Sequence, residues 1–223
     1  MSDVIAKNDK AVFQSINKAD FTGSVVHKYH PKDSFITLTL AIGRPDGKSV
    51  DYPNITFYGE NAGVIDNALV LEKGEYPRVC VSAQIQTKIM KNKKETKSFQ
   101  NIIGLELRKA PTNMENITGL KSIGSHKLPS ANSVCIMGQV VHLFKITRPD
   151  RERPIGTIIT IKTLDGAISN FPRVTCFGAV SSAAESLKNG DIICVTGAIR
   201  TRYDKANNVR YETFVGDEVC KVN

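Results

Sequence analysis

The chain has 223 residues, enough for one large domain or two of about 100 residues, each able to bury a core. Its formal net charge is +8, from 30 Lys plus Arg against 22 Asp plus Glu, which favours a polyanionic partner. The five cysteines are odd in number and lack a Cys-x-x-Cys pair, the four histidines stand at no metal-ligand spacing, and no stretch reaches membrane-spanning length. A soluble intracellular protein without disulfides, metal or cofactor is expected.

Residues 1–20 are polar and mixed, with a weak apolar spacing at Val12, Phe13 and Ile16, and read as an N-terminal arm. Strand signals begin at Phe21: residues 21–29 and 34–42 are rich in Val, Ile, Thr and Phe, and Pro31-Lys32-Asp33 separates them. Arg44-Pro45-Asp46-Gly47 makes a turn, and a third strand covers residues 53–58. Residues 60–71 switch to a helical spacing, with Ala62, Ile65, Ala68 and Leu69 on one side, and Lys73-Gly74 ends the helix. Val79, Val81, Ala83, Ile85 and Thr87 alternate as a fourth strand, and a fifth spans residues 99–108. Residues 110–133 contain Pro111, Pro129, two glycines and several Asn and Ser without periodicity, which predicts a linker.

After the linker the pattern returns. Tyr52-Pro53-Asn54-Ile55-Thr56-Phe57-Tyr58-Gly59 is answered by Phe171-Pro172-Arg173-Val174-Thr175-Cys176-Phe177-Gly178, each preceded by an Asp-Gly pair. Gly23-Ser24-Val25-Val26-His27 is answered by Gly138-Gln139-Val140-Val141-His142, residues 71–75 by residues 187–191, residues 80–88 by residues 194–202, and Gly104 by Gly216. Only loop lengths differ, so the chain reads as two copies of one domain, residues 21–109 and 134–223. Each copy runs strand, strand, strand, helix, strand, strand. That is the order of the oligonucleotide-binding (OB) fold, a five-stranded barrel with a helix between strands three and four. The expected class is all-β with one short helix per domain, as two tandem OB-fold barrels.

Alternation along the repeated strand puts Val174 and Cys176 on one face and Phe171, Arg173, Thr175 and Phe177 on the other; Ile55 and Phe57 likewise oppose Tyr52, Thr56 and Tyr58. The first face suits a core. The second mixes rings with polar groups, as a platform for stacking nucleobases would.

The second copy resembles the bacterial and phage single-stranded DNA-binding protein family. The resemblance is carried by Gly138-Gln139-Val140-Val141, residues 171–178, Leu187-Lys188-Asn189-Gly190-Asp191, Gly197-Ala198-Ile199-Arg200-Thr201-Arg202 and Arg210-Tyr211-Glu212-Thr213, in the family's order. It implies base stacking by Phe171 and Phe177 and backbone contacts by Arg200 and Arg202. Likeness between the copies extends this to Tyr52, Tyr58 and Lys88, with Gln86 where Arg200 would stand. The family usually has one such domain per chain and an acidic tail that recruits partners. Here there are two domains, and the sequence stops at Cys220-Lys221-Val222-Asn223, which fits a trimmed phage or mobile-element version. The resemblance implies single-stranded DNA as partner, with replication or recombination proteins and a second copy of the chain as further candidates. It implies the cytoplasm of a bacterial cell or phage-infected host as the location.

Basic residues gather in the loops flanking the expected binding face. Lys88, Lys91, Lys93 and Lys94 lie between strands four and five of the first copy. Arg200, Arg202 and Arg210, interleaved with Tyr203 and Tyr211, lie in the matching loop of the second, and Arg148, Arg151 and Arg153 in its first loop. The expected function is sequence-tolerant binding of single-stranded DNA, covering exposed strands during replication, recombination or repair. The alternative is a replisome or primosome subunit of the same fold that binds mainly protein, distinguished by whether the aromatic faces are open in the free chain. An enzyme has least support, because no repeated carboxylate pair, metal cluster or nucleophile with a base appears at matching positions. His27 and His142, closing matching strands, are expected to be structural, and the cysteines to be small apolar fillers.

Overall fold

A computed structural model describes residues 14–32, 34–91, 96–111, 117–118, 130–151, 154–165 and 168–222. The first copy contains β1 (Ile16–Lys32), β2 (Phe35–Gly43), β3 (Val50–Asp51), β4 (Asn54–Tyr58), α1 (Glu60–Ala68), β5 (Glu75–Tyr76), β6 (Arg78–Lys91) and β7 (Thr96–Lys109). A two-residue β8 (Ile117–Thr118) pairs with β5. The second contains β9 (Ala131–Ile146), β10 (Gly156–Asp165), β11 (Ile168–Asn170), β12 (Arg173–Phe177), α2 (Gly178–Ala184), β13 (Ile192–Asp204) and β14 (Val209–Lys221).

Each copy closes on itself. β1 pairs with β2, β2 with β4, β4 with β7 in parallel, β7 with β6, and β6 again with β1. The second ring runs β9, β10, β12, β14, β13 and back to β9. These are two five-stranded OB barrels, as the element order predicts, and closure leaves few free edges. Gly59 and Gly178 turn the chain from strand into helix with φ of 69° and 54°, a region that favours glycine, which explains the repeated strand-Gly-helix junction. Ala62, Ile65 and Leu69 face the core, whereas Ala68, expected beside them, is exposed because the helix stops there.

The two cores are filled differently. In the first barrel Phe57 on β4 lies against Gly104, where a Cβ would stand 2.2 Å from the ring. In the second the same strand offers small Cys176, and the ring comes from Phe214 on β14, where the first barrel has Ile102. The volume is kept and its source moves across the sheet.

Two boundaries differ from the sequence expectation. β1 begins at Ile16, inside the expected arm, and β9 at Ala131, inside the expected linker; Val12 and Phe13 lie outside the described residues. The reason is tertiary. The starts of β1 and β9 pair antiparallel from Ile16↔Met137 to Thr22↔Ala131, centred on Ala19 and Val134, both fully buried. Each satisfies the other's backbone groups, so ten barrel strands belong to one 12-stranded sheet. No local periodicity announces such a partner.

The contact between barrels is isologous. The Tyr52 amide donates to Thr201 Oγ1 at 2.8 Å, and the matching Phe171 amide donates to Thr87 Oγ1 at 2.8 Å. The Asn54 amide donates to Glu212 Oε1 at 2.9 Å, and the matching Arg173 amide to Gln100 Oε1 at 2.8 Å. Each half gives the other what it receives, as in a twofold dimer made within one chain.

Candidate nucleic-acid interface

Residues paired across a sheet share a face, so the outward rows follow from the register. In the second barrel one row is His142, Thr160 and Arg173, the next Phe144, Ile158 and Thr175, and the next Ile146, Gly156 and Phe177. In the first, His27, Thr39 and Asn54 precede Tyr29, Thr37 and Thr56, and Tyr58 follows beside Phe35. β7 and β14 add Phe99 and Tyr211 to this face. The three rings of the first barrel, Tyr29, Tyr58 and Phe99, are 54%, 55% and 43% exposed, and their counterparts Phe144, Phe177 and Tyr211 are 55%, 47% and 43% exposed. Core rings Phe21, Phe57 and Phe214 are at most 1% exposed, so the six are not core residues. Tyr58 leans on Phe35 with ring centroids 6.0 Å apart. Phe177 lies over Gly156, where a Cβ would stand 2.9 Å from its ring.

Two chambers adjoin at the contact between the barrels. One chamber, of about 440 Å³, is lined by Asn54, Thr56, Phe99, Arg210 and Tyr211; the other, of about 180 Å³, by Ile158, Arg173, Thr175 and Thr213. Gln100 and Glu212 line both and form the seam. Burial pushes the Glu212 carboxyl up from its ordinary value, against the pull of the Asn54 amide and side chain that donate to it. Among the described residues no cluster of three or more His, Cys, Asp or Glu is placed to hold a metal ion.

By sequence the chain matches no family model and no curated protein. Among solved structures it superposes on the wild-type single-stranded DNA binding protein of Thermus aquaticus with a TM-score of 0.62, over 95% of each chain, at 15% identity. A deletion mutant of that protein gives 0.60 at 13% identity, over 94% of this chain and 96% of the other. The chain has the tandem-barrel fold of the Thermus protein. Because nearly all of both chains is covered, the pairing of two barrels in one polypeptide, a departure from the one-domain pattern, is shared with it.

On this fold the expected site residues separate into three groups. Tyr58, Phe177 and Tyr211 stand open on the outward face, with exposed Arg173 nearby, and Arg202 lies 5.4 Å above the Tyr211 ring. Lys88, Arg148 and Arg151 are exposed near the rim, and Tyr203, exposed on the β13–β14 hairpin, hydrogen-bonds Asn208 through its hydroxyl. Lys93, Lys94 and Arg153 lie outside the described residues, as does the side chain of Lys91.

The remaining group sits at the contact between barrels. Tyr52 is half-buried in a small apolar cluster with Val26, Ala41, Val50 and Tyr76, and Arg210 covers its ring at 5.3 Å. Phe171 is half-buried, its amide bonded across the contact. Arg200 donates to Asp51 Oδ2 at 3.1 Å, and Asp51, 0% exposed, also takes Arg44 at 2.6 and 2.9 Å and the Thr201 amide at 2.8 Å. The expectation that Arg200 meets phosphate is thus replaced by an interdomain ion pair, because the buried carboxylate requires compensation. His27 and His142 also differ from expectation: both are exposed, in the rows next to those of Tyr29 and Phe144. Cys176 is a core filler whose thiol burial pushes up to about 11, while Cys135 and Cys194 bring their sulfurs within 3.8 Å and Cys220 is exposed.

Three open rings were not foreseen: Tyr29, Phe144 and Phe99. A signal exists for them. Tyr29 follows His27 by the same spacing as Phe144 follows His142, and Phe99 precedes Gly104 as Tyr211 precedes Gly216. An aromatic recurring at the repeat offset, on the parity opposite the core, marks each one.

Proposed function

We propose that the chain binds single-stranded DNA with little sequence preference, covering exposed strands during replication, recombination or repair. The observation that carries this reading is the recurrence of three open aromatic rings at matched positions of both barrels. Large rings left about half exposed at equivalent places in two copies add little to either core, and every base offers a face to stack on. Exposed Lys88, Arg148, Arg151, Arg173 and Arg202 give phosphates cationic neighbours at the edges. Nothing in this role requires catalysis or a cofactor.

A gel-shift titration with oligo(dT), its RNA equivalent and a duplex of the same sequence tests the reading. Tight binding to oligo(dT), weak binding to duplex, and an affinity that falls as salt rises are expected. Preference for duplex, or no binding to any strand, would overturn it.

A further inference from the structure

The twofold relating the barrels constrains the ligand in a way that neither barrel does alone. A path crossing a twofold axis has its direction reversed by the rotation. A nucleic-acid strand has a direction, since its 5′ and 3′ ends differ. Whatever polarity the β4–β7 face prefers when a strand points toward the seam, the β12–β14 face therefore prefers for a strand also pointing toward the seam. The two chambers lie on either side of the axis and share Gln100 and Glu212, themselves a matched pair. The same rotation exchanges Ile16↔Met137 with Thr22↔Ala131, and Phe99, Tyr58 and Tyr29 with Tyr211, Phe177 and Phe144.

We infer that the two chambers form one groove, matched end to end by a strand whose backbone polarity reverses at the seam, and that an ordinary short strand satisfies one barrel while running backwards through the other. This rests on the single-strand reading above. A natural strand meets both faces in the same sense only by leaving the groove beyond one barrel and returning from the far end. Full engagement then needs more nucleotides than the groove itself holds.

The test uses the intact chain and fluorescence anisotropy with thymidine strands of about 12–20 nucleotides, two OB-fold sites toward the short end of their range. Three versions are compared: uniform polarity, a central 3′–3′ linkage, and a central 5′–5′ linkage. Base content and phosphate number are equal, so the ionic contribution is equal too. One inverted strand should bind about fivefold or more tighter than the uniform strand, the equivalent of one additional base stack, and the other should bind no tighter than the uniform strand. The advantage should close as the uniform strand is lengthened enough to loop back. A uniform short strand that binds as well as both inverted ones, or two inverted strands that gain equally, would overturn the inference. Long oligo(dT) serves as the control. Failure to bind it would overturn the proposed function and the inference together, whereas binding it without an inverted-strand advantage would overturn the inference alone.

Discussion

The barrels meet at two matched corners that share a backbone and differ in chemistry. At one corner buried Asp51 is held between Arg44 and Arg200. At the other Asn170 stands in the place of Asp51 and Gln86 in that of Arg200, and Asn170 Oδ1 accepts the Thr87 amide, at 3.2 Å. Among the described residues, Asn170 Nδ2 and the hydroxyl of Thr163, opposite it in the register, are buried without a hydrogen-bond partner. The threonine-to-amide bonds are nevertheless the same length at both corners. The docking geometry therefore comes from paired backbone and short hydroxyl side chains, and the ion cluster is an addition to one side. In a dimer of identical chains every substitution falls on both corners at once; joining the copies lets each corner change alone.

The comparison can be broken most forcefully at Asp51. Asp51→Ala leaves two guanidinium groups facing each other over a vacated carboxylate site. A loss of about 3 kcal/mol is expected, the low end for a broken buried pair because both arginines keep some solvent contact. Asn170→Ala removes one hydrogen bond and should cost about 1 kcal/mol. Urea denaturation of both variants decides the matter, and equal losses would mean that the corners are energetically alike.

A second contrast lies in the cores. Gly104→Ala would place a Cβ 2.2 Å from the Phe57 ring, whereas Gly216→Ala would meet Cys176 Sγ at 3.1 Å. Overpacking should cost about 2 kcal/mol at Gly104 and about 1 kcal/mol or less at Gly216. The reverse order in denaturation midpoints would show that the ring has not changed strands as described. The smallest effect is expected at the neutral corner. Thr163→Val removes a buried hydroxyl that has no partner among the described residues, in a place where the first barrel has Ile42, and should raise stability by about 1 kcal/mol. A loss of stability there would mean that the hydroxyl is satisfied after all.

What the sequence made legible was whatever repeats locally: strand order, the Gly59 and Gly178 junctions, and the parity that buries Val174 and Cys176 while leaving Phe177 open. What it hid depends on residues far apart. Arg200 resembles a phosphate contact until Asp51 is found beside it, and Tyr52 resembles a stacking ring until it is found half-buried against Ala41 with Arg210 over its ring. The start of β1 was hidden for the same reason, its partner being β9 of the other copy. Tyr29, Phe144 and Phe99 were legible in principle, because the spacing that identifies them is present in both copies.

The central claim is that the open rings, and not the half-buried ones, hold the bases. Phe177→Ala, Tyr58→Ala and Tyr52→Ala are each melted and then titrated with oligo(dT). Removing Phe177 or Tyr58 should weaken binding by about 1–3 kcal/mol with a nearly unchanged melting temperature and salt slope. Removing Tyr52 should lower the melting temperature and leave the affinity of the folded chain close to normal, since its ring is packed at the contact between barrels. If Phe177→Ala and Tyr58→Ala melt early but bind normally, the rings are structural and the DNA lies elsewhere.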